Sequence, residues 1–502
     1  MMAIPLAQEI NALIQQLNRG QFEAVIQRAR HLVAQHPREF ILHHLLALAF
    51  DQQQAYPQAA EAYQHALNLN PKVPELWFNY AIVKTHLNDL VAAEQAYAKA
   101  IALNPQFFEA HGNLGTILQK QGRLDEAVAS YQRGLRIQPQ DARGHFNLGT
   151  VLRDQGDLQA AVQSYERAID LFPNYTDAYN NLGETWRDQG DMTRAVNCYQ
   201  QALQRNPQHA AANYNMGEFL YLAKRFEEAI PYFETSQLED WQARVLYCLY
   251  RAEQFEVFKQ RRDAMLAQGP HTAPFIATLS THYSINHGEP DPYQFCPDGF
   301  SFVYHRSLPE LAPGSPLLTQ LLNDIAQADI AERKQARLTH GKQSAGNLFK
   351  RAEASFRALG EIVKREFRSY HEHYKHADCA LITHFPSALE FTSSWYVKMQ
   401  TGGHLDAHIH EIGWISGAVY LAMPETEDEK EGAFEYGTHG DQYPQLHDRF
   451  PTRYIKPAIG DIVLFPSSLF HRTIPFQADA ERICIAFDLK PVTPTGFTHS
   501  DY

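Results

Sequence analysis

Along the first half of the chain, hydrophobic and polar positions alternate with the 3.6-residue period of amphipathic helices, and the pattern as a whole returns every 34 residues. Proline falls at Pro71, Pro105, Pro139, Pro173 and Pro207. Small residues occupy Ala59, Ala93, Ala127, Ala161, Ala195 and Ala229, and four positions after each stands an aromatic: Tyr63, Tyr97, Tyr131, Tyr165, Tyr199 and Phe233. A second small row runs through Ala47, Ala81, Gly115, Gly149, Gly183 and Gly217. Small residues let antiparallel helices approach closely, the aromatic fills the space between them, and proline stops the second helix of each pair. Six helix pairs are therefore expected over 40–240. Residues 1–39 read as a degenerate first repeat or cap, with Pro37 in place but its alanine one position out of step. After Trp241 two amphipathic helices lack the anchors and read as a closing cap over 241–285.

The period then changes. NHGEPDPYQFCPDGF, rich in Pro, Gly and Asp, predicts a linker over 286–300. Helical patterns follow in PLLTQLLNDIAQADI and NLFKRAEASFRALGEIVKREFRSYHEHY. Beyond Cys379 come short strand-like runs: SSWYVKM, ISGAVYLAM, GAFEYG, GDIVLFPSS and RICIAFDL. The expectation is a multidomain chain, an all-α solenoid followed by an α+β domain over 301–493 whose strands form a sandwich or barrel, with a tail over 494–502.

Composition narrows the function classes. Of 502 residues, 44% are hydrophobic and 20% charged, which excludes a core-poor disordered chain. With 44 Lys plus Arg against 57 Asp plus Glu, the net charge of −13 argues against nucleic acid and anionic lipid as partners. Cys198, Cys248, Cys296, Cys379 and Cys484 form no Cys-x-x-Cys pair and read as reduced thiols in the cytoplasm. No run reaches the ~18 apolar residues of a membrane span, and no secretory leader is legible, so a soluble, unexported protein is expected.

The 34-residue unit resembles the tetratricopeptide repeat. Such an array spends its anchors on packing and offers a concave face to a partner. One row is left over: Asn79, Asn113, Asn147, Asn181 and Asn215 recur on the first helix of successive units. A carboxamide both donates and accepts, so a ladder of them suits the backbone of an extended protein or peptide ligand. The row is similar to the asparagine ladder of the O-linked N-acetylglucosamine transferase, although the second half of this chain does not resemble that enzyme's catalytic domain. The alternative is that each asparagine bonds within or between helices.

The candidate chemistry lies among the strands. His408 and His410 are two residues apart, so in extended chain both rings leave the same face. His471 follows 61 residues after His410, just past GDIVLF, and Arg482 another 11 residues on. Two side chains from one strand and a third from a distant one suit a metal capped on one face and open on the other.

GGHLDAHIHEIGWISGAVYLAMP, EGAFEYG, PAIGDIVLFPSSLFHRTIPF and ERICIAFDLKP, with LTHGKQSAGNLF upstream, together resemble the Fe(II)- and 2-oxoglutarate-dependent oxygenases related to prolyl hydroxylases, over about residues 296–491. The resemblance implies a double-stranded β-helix, or jelly-roll, core, with Fe(II), 2-oxoglutarate and dioxygen as reaction partners. It implies His408 and His471 as iron ligands, Arg482 as the partner of the distal carboxylate of 2-oxoglutarate, and Tyr420 as a further hydrogen-bonding group to it. A guanidinium suits that role as a forked, permanent cation. The sequence departs from the common His-x-Asp or His-x-Glu pair by placing His410 at the carboxylate position, which leaves His410, Asp406 or water as the second ligand. A literal His-x-Asp occurs at His404 and Asp406 as an alternative ligand pair, whereas the Gly402, His404, His408 spacing matches that of the aspartyl/asparaginyl β-hydroxylases, in which the later histidine binds iron. Trp395 and Trp414 would line a substrate channel or only pack, and Asp461 reads as a turn former.

Three functions follow: a hydroxylase acting on a protein or peptide presented by the array, a small-molecule oxygenase, or a non-catalytic scaffold carrying a degenerate oxygenase domain.

Overall fold

The computed structural model describes residues 5–238, 240–268, 273–293, 295–327, 330, 332–333 and 337–490. The expected tail over 494–502 lies outside the described residues. Contacts divide the chain into two compact units that meet at 216/217.

The first unit is a run of antiparallel helix pairs, from Leu6–Asn18 and Phe22–Gln35 through Thr176–Asp188 and Met192–Arg205. The two anchor rows meet as their spacing requires. A Cβ placed on Gly115, Gly149 or Gly183 would stand 2.9, 2.8 or 2.6 Å from the ring of Tyr131, Tyr165 or Tyr199. Each ring is buried. Asp89, Asp141, Asp157 and Asp191 accept a backbone N–H from the first turn of the helix they precede, satisfying one of its orphan donors. The turn inside each pair needs a left-handed residue, and it recurs at Gln54, Asn88, Gly122, Gly156 and Gly190. Glycine takes that conformation without strain, and asparagine nearly so.

The second unit opens with helices Phe226–Ser236, Trp241–Arg251, Phe255–Leu266 and Pro274–His287, followed among the described residues by ten strands. These are β1 (Tyr304–Ser307), β2 (Glu332–Arg333), β3 (Leu338–Ser344), β4 (Phe391–His408), β5 (Ile415–Ala422), β6 (Phe434–Gly437), β7 (Thr452–Ile455), β8 (Asp461–Pro466), β9 (Phe470–Thr473) and β10 (Arg482–Leu489). They form one antiparallel sheet in the order β1-β8-β5-β10-β4-β9-β6-β7, with β3 also on β4 and β2 on β3. The 18-residue β4 curls it: its first half pairs with β10, and its end pairs with β9. Between the halves Gly402 sits at φ +77°, a left-handed position that breaks the straight run of the strand. The result is the expected jelly-roll-like core. Helix Ala354–Tyr374 packs beside it, and its Phe367 meets Phe391 and Phe487.

The segments expected as cap (241–285) and linker (286–300) fall inside this second unit. On helix Pro274–His287, the Thr278 hydroxyl donates to the Ser468 carbonyl at 2.8 Å, His282 Nε2 meets His439 Nδ1 at 2.8 Å, and the Asn286 amide donates to the Pro444 carbonyl at 2.6 Å. Within 286–300, Tyr293 and Phe295 are buried, and the Phe295 ring lies 5.1 Å from that of Trp414. Loop-like composition there reflects the want of periodicity, not of packing.

Candidate metal centre

The pairing of β4 with β9 sets His408 directly opposite His471. Two residues further on, past the strand end, His410 returns to the same face. The three rings lie with centroids 4.4, 4.8 and 5.3 Å apart, and one ligand atom from each falls within 4.8 Å of the others. His408 and His471 are buried and His410 is partly so.

The hydrogen bonds of each ring settle which nitrogen is free. Nδ1 of His408 donates to the Asp406 carbonyl at 2.8 Å, and Nδ1 of His471 to the Leu469 carbonyl at 3.3 Å. Nδ1 of His410 meets Asp488 Oδ1 at 2.5 Å. With each Nδ1 used as donor, Nε2 is left as a lone-pair acceptor. His408 Nε2 and His410 Nε2 face one another at 3.3 Å, an arrangement of two acceptors that needs a proton or a cation between them. Burial pushes the His408 imidazole down to about 3, and its neighbour His410 adds to this. His471 is likewise driven well down by burial, then by His408 and His410. Both rings are therefore neutral at neutral pH. Burial alone would raise the Asp488 carboxyl, but His410 and the hydroxyls of Ser416 and Ser393 hold it below the ordinary carboxylate range.

These rings line a cavity of about 280 Å³ with Arg482, Tyr420, Trp395, Gln343 and an apolar set including Val397 and Phe465. Arg482 is 2% exposed. Its Nε donates to the Gly432 carbonyl at 3.1 Å, and the guanidinium lies 5.1 Å from the Tyr420 ring centre. Among the described residues no carboxylate pairs with it, so its charge is offered to the cavity. Gln343 is 3% exposed, and its Oε1 has no partner among the described residues. A buried cation without a counter-ion and an orphaned carboxamide oxygen both fit a polar ligand in this space. Three imidazoles clustered at one side of it fit a divalent first-row metal.

His404 and Asp406 lie outside the cluster. Their side chains are 30% and 66% exposed, His404 Nδ1 bonds the Gly402 carbonyl, and Asp406 contributes its own carbonyl to His408. Tyr420 faces the cavity beside Arg482, its hydroxyl pushed up by burial against the opposing pull of that guanidinium. Trp395 lines the cavity, whereas Trp414 packs, its indole donating to the Leu381 carbonyl at 3.0 Å. Asp461 accepts from Ala458 N, His305 and Ser307, closing its turn.

Asp488 and its hydroxyl partners were not foreseen. The signal was present: Arg482, Cys484, Ala486 and Asp488 alternate along β10, and the first three line the cavity. In the first unit, four asparagines of the row are half-buried, and Asn113 donates to the Tyr97 hydroxyl at 3.3 Å. Asn215 is buried and committed inside the unit, to Asn180 Oδ1 at 2.9 Å and Glu184 Oε1 at 3.1 Å.

Residues 393–488 match the family described as "Putative 2OG-Fe(II) oxygenase". Six overlapping windows between residues 15 and 243 match the tetratricopeptide repeat. No curated protein matches the chain. Among solved structures, YrrB, described as a TPR protein with an unusual peptide-binding site, is 20% identical over 37% of this chain and 95% of its own, with a TM-score of 0.34. The C-terminal part of a TPR repeat-containing protein from Cytophaga hutchinsonii is 14% identical over 45% of this chain and 93% of its own, with a TM-score of 0.40. MamA from Desulfovibrio magneticus RS-1 is 19% identical over 34% and 95%, with a TM-score of 0.33.

Proposed function

We propose that this chain, which joins tetratricopeptide repeats to a domain of the Fe(II)- and 2-oxoglutarate-dependent oxygenase type, is a dioxygenase that hydroxylates a side chain of a protein or peptide bound by its repeats. One observation carries the reading: three Nε2 lone pairs converge in a cavity that also holds a buried arginine with no carboxylate partner among the described residues. His408, His410 and His471 would hold the iron. Bound there, iron with 2-oxoglutarate and dioxygen supplies oxidative decarboxylation coupled to hydroxylation of a C–H bond.

The protein's own groups divide the work. Their Nδ1 partners fix the three rings in one tautomer and one orientation, so the site forms without rearrangement. Arg482 binds the distal carboxylate as a forked donor, with Tyr420 beside it. Val397, Met399, Ala418 and Phe465 exclude water around the dicarboxylate and strengthen that attraction. Partly exposed Trp395 and Arg337, also on the cavity wall, meet the substrate. Tetratricopeptide repeats generally bind proteins or peptides, and the half-buried Asn79, Asn113, Asn147 and Asn181 supply carboxamides for an extended backbone. Among the described residues all five cysteines are free thiols, in keeping with a cytoplasmic protein, and no helix is long and apolar enough to cross a membrane.

Anaerobic titration with Fe(II) and 2-oxoglutarate tests the assignment through the visible metal-to-cosubstrate charge-transfer band. The band is expected in the wild type and in Asp406→Ala and lost in His408→Ala and His471→Ala. A band that survives His408→Ala and disappears in Asp406→Ala overturns the ligand set.

A further inference from the structure

The ligand set is short of the carboxylate that usually accompanies two histidines at such a centre, and a carboxylate stands immediately behind the third ring. Asp488 Oδ1 lies 2.5 Å from His410 Nδ1 and 2.6 Å from Ser416 Oγ, and Oδ2 lies 3.0 Å from Ser393 Oγ. Ser416 is itself backed by Ser467 at 2.8 Å. Asp488 is 4% exposed, and among the described residues no lysine or arginine pairs with it. A carboxylate buried to this degree needs a compensating positive charge, and among the described residues the route to one runs through the imidazole of His410.

Building on the metal-site reading above, we propose that Asp488 is the carboxylate of this centre, displaced outward by one hydrogen bond and acting on the metal through His410 as a positioning residue. The charge count supports it. Among the described residues, the buried ionic groups around the cavity are Asp488, negative, and Arg482, positive; Arg337 and Arg472 on the wall are already paired with Asp441 at 2.7 Å and Glu435 at 2.6 Å. A divalent cation and a dicarboxylate add +2 and −2, so the loaded site is neutral, as it would be with a carboxylate bound directly. The displaced arrangement keeps the balance while giving the metal a third imidazole. A carboxylate behind an imidazole fixes the ring and raises its basicity, and losing such a partner typically costs about 10–100-fold in metal affinity.

The competing view is that Asp488 only ties strands together through its serines. Titration of the full chain with Co(II) separates the two, reading affinity and the d–d absorption bands without turnover. Asp488→Asn, which keeps the shape of the side chain, is expected to weaken Co(II) binding about 10–100-fold and to shift the bands. Ser467→Ala, which disturbs the hydroxyl chain but not His410, is expected to stay within about twofold. Unchanged affinity and bands in Asp488→Asn, with binding abolished in His408→Ala, overturns the proposal and leaves the metal site standing. Equal Co(II) binding by wild type and His408→Ala, or none by either, removes the metal site and this proposal together. Should Asp488→Asn fail to fold, Ser393→Ala takes one clamp from the carboxylate and leaves the direct contact of Ser416 with His410 in place: a loss of about threefold with shifted bands supports the proposal, and no change in either overturns it.

Discussion

Under the proposed function, Arg482 is the side chain on which recognition of an organic acid turns. Its guanidinium is buried and meets a carbonyl, two sulfur atoms and an aromatic ring, but no carboxylate among the described residues. Arg482→Ala is expected to raise the dissociation constant for 2-oxoglutarate about 30-fold or more, since truncating one partner of a buried charged pair costs about 2–5 kcal/mol. Tyr420→Phe removes at most one neutral hydrogen bond, about 1 kcal/mol, and is expected to raise it only about fivefold. Both follow from anaerobic titration of the charge-transfer band, and equal effects of the two would remove Arg482 from its assigned role. At this scale the sequence was informative where a residue type is rare in its setting: a histidine pair at strand spacing, a histidine after a buried strand, an arginine opening another. Asp488 escaped because a carboxylate ending an apolar strand looks like a solvated end, and only the fold turns it toward His410.

Among the elements, the helix pairs are governed by how closely two backbones approach. A Cβ on Gly183 would stand 2.6 Å from the Tyr199 ring and 3.0 Å from the Ala195 carbonyl, whereas one on Gly112 would meet nothing within 4 Å. Gly183→Val should therefore destabilise by about 1–3 kcal/mol through overpacking, and Gly112→Ala should stabilise by up to about 1 kcal/mol through helix propensity. Denaturant melts of the two variants check the opposite signs. Helix Pro274–His287 carries a different sensitivity. His282 is fully buried between the Tyr250 hydroxyl and His439, and burial drives its imidazole down to about 3, with repulsion from His439 and His447 adding to this. The unfolded chain accepts that proton near pH 6.5 and the folded chain refuses it until about pH 3. Stability is thus full above about pH 6.5 and falls by roughly 1.4 kcal/mol per pH unit as pH drops through the window between them. Buried His408 adds in the same direction, so the test is a difference: melting temperature should fall less steeply between pH 6 and 4 in His282→Gln than in the wild type.

For the molecule as a whole, the useful boundary is the one that contacts draw at 216/217, not the composition shift near residue 290. The helices Trp241–Arg251 and Pro274–His287 hold the strand connections of their own unit: Arg244 pairs with Glu411 at 3.0 Å, beside His410, and Arg251 donates to the Asp441 carbonyl at 3.2 Å. A fragment starting at Asn206, ahead of helix Ala210–Leu222, is expected to keep the charge-transfer band and melt cooperatively. One starting at residue 290 loses the partners of Glu411, His439 and Pro444 and is expected to melt lower with a broadened transition. Equal melting of the two fragments would show that these helices contribute nothing to the oxygenase-type fold.

The sequence by itself determined the repeat half and the strand class of the second half, because packing of identical helix pairs and alternation along strands are local periodicities that each unit states for itself. It also singled out His408, His471 and Arg482, which the fold gathers around one cavity. Tertiary structure alone decided that His410 joins them while His404 and Asp406 turn away, that Asp488 backs His410, and that the apparent cap and linker belong to the oxygenase-type unit. Those outcomes depend on strand register and on the bend at Gly402, which join residues dozens of positions apart and leave no period in the chain.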